Sequence, residues 1–409
     1  MRPKIFTLRN ALLLLVAVGV FSGMAYWLSV GAPLPGAGVP STAGKIVFIS
    51  DRGGKSDLWM MDAATGENAV ALTKDAAADR QPTLNAVGSE VAFISEGRSG
   101  GVTPQVYTVD AKPDAKILPL TNTSATKEQP RYGPKGRVYY LASGKLSATD
   151  PANRETDQVF PEADEVRALA GNENTPGILS TGGIASAAVS PDGNRIAAVI
   201  KTERGQALLL ITPGQHAGQG TLLGVGSRIF CQFLADGRLV VSFEDGSPLA
   251  QAQIIYNKEL IEGGGVVAAQ PLNDLELPLG SFAIALFDTE GVASGALPLP
   301  FGPDIIAVSP DGSRIAVGVS KPASGNTKKP AFVGLAVLPL GENVAQGAGR
   351  LSSEPVDSIT WSSDGSRIAY GSAGDIFSVP VDGSAPPVNL TKGQGVSSSP
   401  VWSPAKSRK

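Results

Sequence analysis

Side chains able to do covalent or acid–base chemistry are scarce in this chain. Among 409 residues there is one histidine, His216, and one cysteine, Cys231. A Ser-His-Asp or Cys-His arrangement would have to use that histidine, yet Pro213-Gly214-Gln215-His216-Ala217 reads as a surface turn. Ser180, Ser186 and Ser190 stand in no Gly-x-Ser-x-Gly elbow. With one histidine and one cysteine there is no clustered metal-ligand spacing. The Asp-Gly pairs at Asp192-Gly193, Asp311-Gly312 and Asp364-Gly365 lack the acidic ligand series and closing glutamate of a calcium loop. Glu262-Gly263-Gly264-Gly265 has no lysine in phosphate-loop position. Glu162, Asp164 and Glu165 form the densest acidic cluster and read as a solvated loop. No cofactor is expected, and a net charge of -3 gives no electrostatic reason to expect nucleic acid.

What remains is binding chemistry, and it depends on the elements that present it. Ala188-Val189-Ser190-Pro191-Asp192-Gly193-Asn194-Arg195-Ile196-Ala197 recurs as Ala307-Val308-Ser309-Pro310-Asp311-Gly312-Ser313-Arg314-Ile315-Ala316 and as Thr360-Trp361-Ser362-Ser363-Asp364-Gly365-Ser366-Arg367-Ile368-Ala369. Each copy is a short apolar strand, a tight turn and a second strand. Glycine supplies the positive φ, and aspartate bonds the nearby backbone. In this reading Asp192, Gly193, Asp311, Gly312, Asp364, Gly365, Trp361 and Trp402 are structural residues of the repeat. The composition agrees: 49 glycines, 31 prolines and 17% charged residues favour many turns over long solvated helices.

From Lys45 the pattern continues as a strand at Ile46-Val47-Phe48-Ile49-Ser50, a polar loop at Asp51 to Ser56, a strand at Asp57 to Asp62 and a third at Ala69 to Thr73. The run Ser50-Asp51-Arg52-Gly53-Gly54, Met61-Asp62 and Leu72-Thr73 resembles the blade repeat of TolB-type (WD40-like) β-propellers. Aligning on the turn gives seven first strands, at Thr83-Leu84-Asn85, Arg131-Tyr132-Gly133, Ala188-Val189-Ser190, Gln232-Phe233-Leu234, Ala307-Val308-Ser309, Thr360-Trp361-Ser362 and Val401-Trp402-Ser403. Turn glycines Gly88, Gly136, Gly193, Gly237, Gly312 and Gly365 follow one another at blade-like intervals. The expected fold is therefore all-β: a propeller over residues 44–409 with seven four-stranded blades. The C-terminal strand at Trp402 has no hairpin partner, and the strand at Ile46 has no preceding strand. Joined, they complete one blade and remove two open sheet edges. Two segments break the period: 161–183 between the third and fourth blades, and 244–280 within the fifth.

Ahead of the propeller, Arg2, Lys4 and Arg9 in the basic stretch 1–10 precede residues 11–31, an uncharged run of 21 residues. That is long enough to cross a bilayer as one helix, with the basic end in the cytoplasm. Cleavage after Ser29-Val30-Gly31, as a signal sequence, is the alternative. Residues 32–43, rich in proline and glycine, read as a tether. Both readings export the propeller, to a periplasmic or extracellular site in the cell envelope.

Strand direction alternates, so the Asp-Gly turns share one side of the disc, and the second-to-third loops and inter-blade links share the other. That second side carries Asp51, Arg52, Lys55, Lys74, Asp75, Asp79, Arg80, Glu96, Arg98, Lys127, Glu128, Lys201, Glu203 and Arg204. Of these, Asp51, Arg52, Lys55, Asp79, Arg80, Glu96, Arg98, Lys127 and Glu128 are the candidate binding residues, because loops on a rigid scaffold commonly carry function. The resemblance implies protein or peptide partners at a loop face or channel mouth, hence a non-enzymatic scaffold in the cell envelope. The ring closes at Trp402 with seven residues to spare, which leaves no room for the α/β-hydrolase domain that some related propellers cap. The alternatives are an envelope enzyme, either a glycan-active propeller or a divergent hydrolase, and a membrane-anchored ligand sensor.

Overall fold

A computed structural model describes residues 44–160, 183–202, 205–213, 220–244, 247–248, 282–299, 303–320, 333–340 and 349–403. The expected anchor (11–31), tether, His216, Glu162, Asp164, Glu165, Glu203 and Arg204 lie outside them. Among the described residues no helix is long and apolar enough to cross a membrane.

Seven antiparallel sheets follow one another as blades. Blade 1 orders Ser397–Trp402, Lys45–Ser50, Asp57–Asp62 and Val70–Ala71. Blade 2 runs Ala78–Leu84, Glu90–Glu96, Gln105–Asp110, Leu118–Pro119. Blade 3 runs Lys127–Tyr132, Val138–Ala142, Lys145–Thr149, Thr156–Phe160. Blade 4 begins Ile184–Val189, Ile196–Thr202, Gly205–Ile211, Thr221–Gly226. Blade 5 is Arg228–Phe233, Leu239–Glu244, Phe282–Phe287, Ala293–Leu299. Blades 6 and 7 are Ile305–Val308, Arg314–Val319, Gly334–Pro339, Gly349–Ser352 and Ser358–Trp361, Arg367–Ser372, Asp375–Pro380, Val388–Asn389. One blade departs from four strands. Ser247–Pro248, at the start of the segment that interrupts blade 5, pairs with Thr221–Gly226 and gives blade 4 a fifth strand.

The second strand of each blade reads as a nearly continuous apolar run, because a sheet stacked between two neighbours is buried on both faces. Ile46, Val47 and Phe48 are fully buried, as are Val91 to Ile94 and Ile196 to Val199. The core is accordingly divided into clusters lying between successive blades, from Val47 and Phe93 at blades 1 and 2 round to Val337 and Tyr370 at blades 6 and 7.

The repeated turn explains its own residue types. The Ser190 hydroxyl donates to Asp192 at 2.5 Å and accepts from the Arg195 N–H at 2.9 Å, while the Asp192 carboxylate accepts from the Asn194 N–H. Gly193 takes φ +77°. The same bonds recur at Ser309, Asp311 and Gly312, and at Ser362, Asp364 and Gly365. In blades 4 and 6 the arginine after the turn reaches the next blade, whereas Arg367 Nε donates to Ser378 of its own blade 7. Arg195 Nη2 donates to the Gly237 carbonyl at 2.8 Å, and Arg314 Nη2 to the Gly365 carbonyl at 2.9 Å. Each lies over the aromatic ring of that next blade, Phe233 or Trp361. Trp361 Nε1 in turn donates back to Ala307 of blade 6 at 2.9 Å.

The ring closes in blade 1, where Val47 pairs with Val401 and Ser50 with Ser397. Lys45 N–H donates to the Ser403 hydroxyl and Ser403 N–H to the Lys45 carbonyl. Trp402, 7% exposed, fills this seam. Trp402→Ala should therefore cost about 3–5 kcal/mol of unfolding free energy, read as a lower denaturant midpoint. A midpoint that does not move would contradict the closed ring.

Candidate binding face

The loop side is built at the junctions between blades, and its charged residues sort into two groups. At the junction of blades 1 and 2, Arg98 packs over Phe93 and Tyr107. Its Nη2 donates to both Asp79 oxygens at 3.1 and 3.0 Å, its Nη1 to Asp75 and its Nε to Ser95. Asp79 is 1% exposed, and burial raises its carboxyl. Asp57 lies in the same junction, where burial pushes its carboxyl up to about 6, the Thr73 hydroxyl opposing the rise and Asp79 and Asp75 adding to it. Lys127, 3% exposed, donates to the Thr123 hydroxyl and the Ala125 carbonyl, both at 2.6 Å, and burial lowers its ammonium. Asp79, Arg98 and Lys127 are thus turned inward and hold the junctions together; charge and loop position in the sequence do not reveal this.

The other candidates reach solvent. Arg80 and Glu96 form an exposed pair at 3.2 Å, worth at most about 1 kcal/mol. Lys55 and Glu128 are exposed. Asp51 accepts from the Val396 N–H at 2.6 Å, bracing the seam. Arg52 stacks over both Phe48 and Trp59, 5.0 Å from each ring centre. Its Nε donates to the Ser50 hydroxyl at 3.2 Å and its Nη1 to Gln394 at 3.3 Å. Arg52 Nη2 and the neighbouring Trp59 Nε1 are buried and have no hydrogen-bond partner among the described residues.

Two recurring devices escaped the reading of the sequence. Leu72-Thr73, Leu120-Thr121 and Leu390-Thr391 each end a blade, and the threonine hydroxyl clips it. It donates to Asp57, Gln105 or Asp375 and accepts the N–H of the residue that follows, Leu58, Val106 or Ile376. The signal was the repeated Leu-Thr pair. In the first strands of blades 2, 3 and 1, Gln81, Gln129 and Ser399 adopt φ of +54°, +53° and +53°, each followed by a buried proline, Pro82, Pro130 or Pro400. Left-handed non-glycine residues of this kind need surrounding support. Gln81 Oε1 accepts from the Gln129 N–H at 2.9 Å, and Gln129 Nε2 donates to the Ala185 carbonyl at 2.9 Å, linking blades 2, 3 and 4. Among the described residues, no group of three or more His, Cys, Asp or Glu could hold a metal ion.

Comparison with known proteins speaks to the fold. No protein-family model matches the chain, and no curated protein matches it. Similar solved structures include a functionally unknown protein from Desulfotomaculum acetoxidans, 11% identical with TM-score 0.50, covering 88% of this chain and 99% of that one. TolB from Acinetobacter baumannii is 14% identical with TM-score 0.42, covering 93% of this chain and 70% of that one. Hydrazine synthase from Kuenenia stuttgartiensis is 14% identical with TM-score 0.44, covering 74% and 76%. At 11% identity the likeness to the Desulfotomaculum protein is one of fold alone.

The Asp57 carboxyl generates a pH dependence. Its folded pKa lies above the ordinary 3.8, so the folded state holds the proton more tightly than the unfolded chain. Its contribution to stability therefore rises as pH falls through about 6 towards 4. Asp57→Asn keeps an oxygen for Thr73 and removes the charge. The variant should be the more stable at pH 7, with the advantage shrinking as pH falls to about 4. Denaturation at a series of pH values checks this; an advantage constant across that range would contradict it.

Proposed function

We propose that the propeller is a non-enzymatic scaffold that engages a protein or peptide partner through the loop side at the seam of the ring. Arg52 carries this reading. Blades 1 and 2 present matching residues there: Phe48 and Phe93, Trp59 and Tyr107, Ser50 and Ser95, Arg52 and Arg98. They differ in the carboxylates supplied: Arg98 has Asp75 and Asp79, and the aligned positions of blade 1 are Gly393 and Ser397. Where blade 2 supplies Asp79 to Arg98, the aligned first strand of blade 1 has Ser397, whose hydroxyl donates to Ser50 at 3.0 Å instead. Arg52 is therefore held by the same aromatic stack, but its buried Nη2 lacks the carboxylate that satisfies Arg98, and a partner's acceptor would reach it by displacing the surface that covers it. A guanidinium pre-positioned over aromatic rings loses little freedom on binding, and such arginines are frequent anchors of protein interfaces. Lys55 and Lys392, both exposed near this site, add positive charge at its rim.

The uncharged segment 11–31, with basic residues before it and Tyr26 and Trp27 towards its far end, supports placing this scaffold at a membrane with the propeller exported.

The test is a crosslinking pull-down from native membranes with the full chain and with Arg52→Ala. Recovery of a specific partner by the parent should fall about tenfold or more in the variant, the scale of a lost interface anchor, at a temperature where both chains are shown to be folded. Undiminished recovery by the variant, or no specific partner recovered by the parent, would contradict the reading.

A further inference from the structure

The first strands of blades 3, 4 and 5 converge on one cleft. Its walls include Gln129 and Arg131 from blade 3, Ala187 and Val189 from blade 4, and Gln232 and Phe233 from blade 5. First strands meet one another round the ring at most of its junctions, so a cleft that three successive first strands share opens on the central channel. It measures about 170 Å³. That is below the ~300–1,000 Å³ of pockets that enclose a drug-sized molecule, and suits a single small group. Pro191 at its edge places it towards the Asp-Gly turns, away from the seam and from Arg52.

Arg131 sets the chemistry. Its counterparts in the other six first strands, taken on the aligned turn, are Thr83, Ala188, Gln232, Ala307, Thr360 and Val401, all uncharged. Two of them are used inside the fold. Gln232 Oε1 accepts from the Val308 N–H at 3.4 Å and Thr360 Oγ1 from the Trp402 N–H at 3.2 Å, each bonding the next blade's first strand. Arginine has no acceptor and cannot make that bond. Arg131 is exposed, and among the described residues its guanidinium makes no hydrogen bond or ion pair. Its field nonetheless reaches the Cys231 thiol two blades away, where it opposes the rise that burial causes. The tyrosine beside it is fixed by backbone shape: one side of the Tyr139 ring packs against Gly133, where a Cβ would come within 2.6 Å of it. Tyr132, the next wall, is tied to Glu90 at 2.8 Å.

We propose that the cleft around Arg131 is a carboxylate-binding site, taking the acidic side chain of a peptide or a small free acid in the channel. The guanidinium offers a planar pair of donors that matches a carboxylate in two-point contact. The aromatic walls of Tyr139 and Phe233 suit the short apolar stem that carries the carboxylate. The cleft is too small for a nucleotide or a sugar chain. This site is independent of the seam and stands or falls apart from Arg52.

Two probes separate the two sources: succinate, and the capped peptide acetyl-Gly-Glu-Gly-amide, with acetyl-Gly-Gln-Gly-amide as the neutral control. Calorimetric titration of the full chain should show saturable binding of at least one carboxylate probe and none of the control. Arg131→Gln, at an exposed position, should keep the parent melting temperature and weaken binding about tenfold or more, as loss of a charge-assisted bond does. Binding of succinate assigns the site to free acids as well as peptides; binding of the Glu peptide alone assigns it to a partner chain. No saturable binding of either probe, or equal binding by Arg131→Gln, overturns the proposal.

Discussion

The pairing of Ser397–Trp402 with Lys45–Ser50 is the constraint on which the molecule depends. Seven blades arranged side by side would leave a strand edge and an unburied blade face at each end. Joining the two ends of the chain in one sheet removes both. Backbone bonds do most of this: the Ile46 and Val47 strand lies between Asp57–Asp62 on one side and the C-terminal strand on the other. Side chains add to it from the loop side, where Asp51 holds the Val396 N–H and Arg52 reaches Gln394. The residues that brace the seam are therefore also the ones the proposed partner would meet, which ties that proposal to the integrity of the ring.

Repetition gives each blade an internal reference. The serine–aspartate turn, the arginine that reaches the following blade and the threonine clip show what a position does when it serves the fold. Departures then stand out against that background. Ser397 in place of Asp79 leaves an arginine donor unused, and Lys127 at the same position in blade 3 turns inward to a hydroxyl and a carbonyl. Arg131 puts the one charge into an otherwise uncharged set of channel positions. In each case substitution on a shared frame changes what the frame can bind.

The blades were legible because Asp-Gly turns and apolar runs recur with fixed internal order, and the seam because Trp402 lacks a partner strand that Ile46 lacks in the complementary sense. The candidate site was legible only in outline. Strand direction places Asp79, Arg98 and Lys127 on the loop side, but whether a charge faces solvent depends on the blade packed beside it, and these three face inward. Arg52 and Arg98 read alike in the sequence; the difference lies in Gly393 and Ser397, at the far end of the chain from Arg52. The fifth strand of blade 4 is two residues long and carries no pattern of its own. Arg131 was visible only as part of a repeat, since its lack of a partner is a property of the channel.

Native-state amide exchange across the seam tests the closed ring most directly. Amides of Ile46 to Ser50 and of Ser397 to Trp402 that bond across it should exchange only through global unfolding, with the same opening free energy as the central strand of blade 6 around Val317. Exchange of the seam through a separate, lower-energy opening would show that the ring is held elsewhere, and would remove the rigid frame on which the binding account stands.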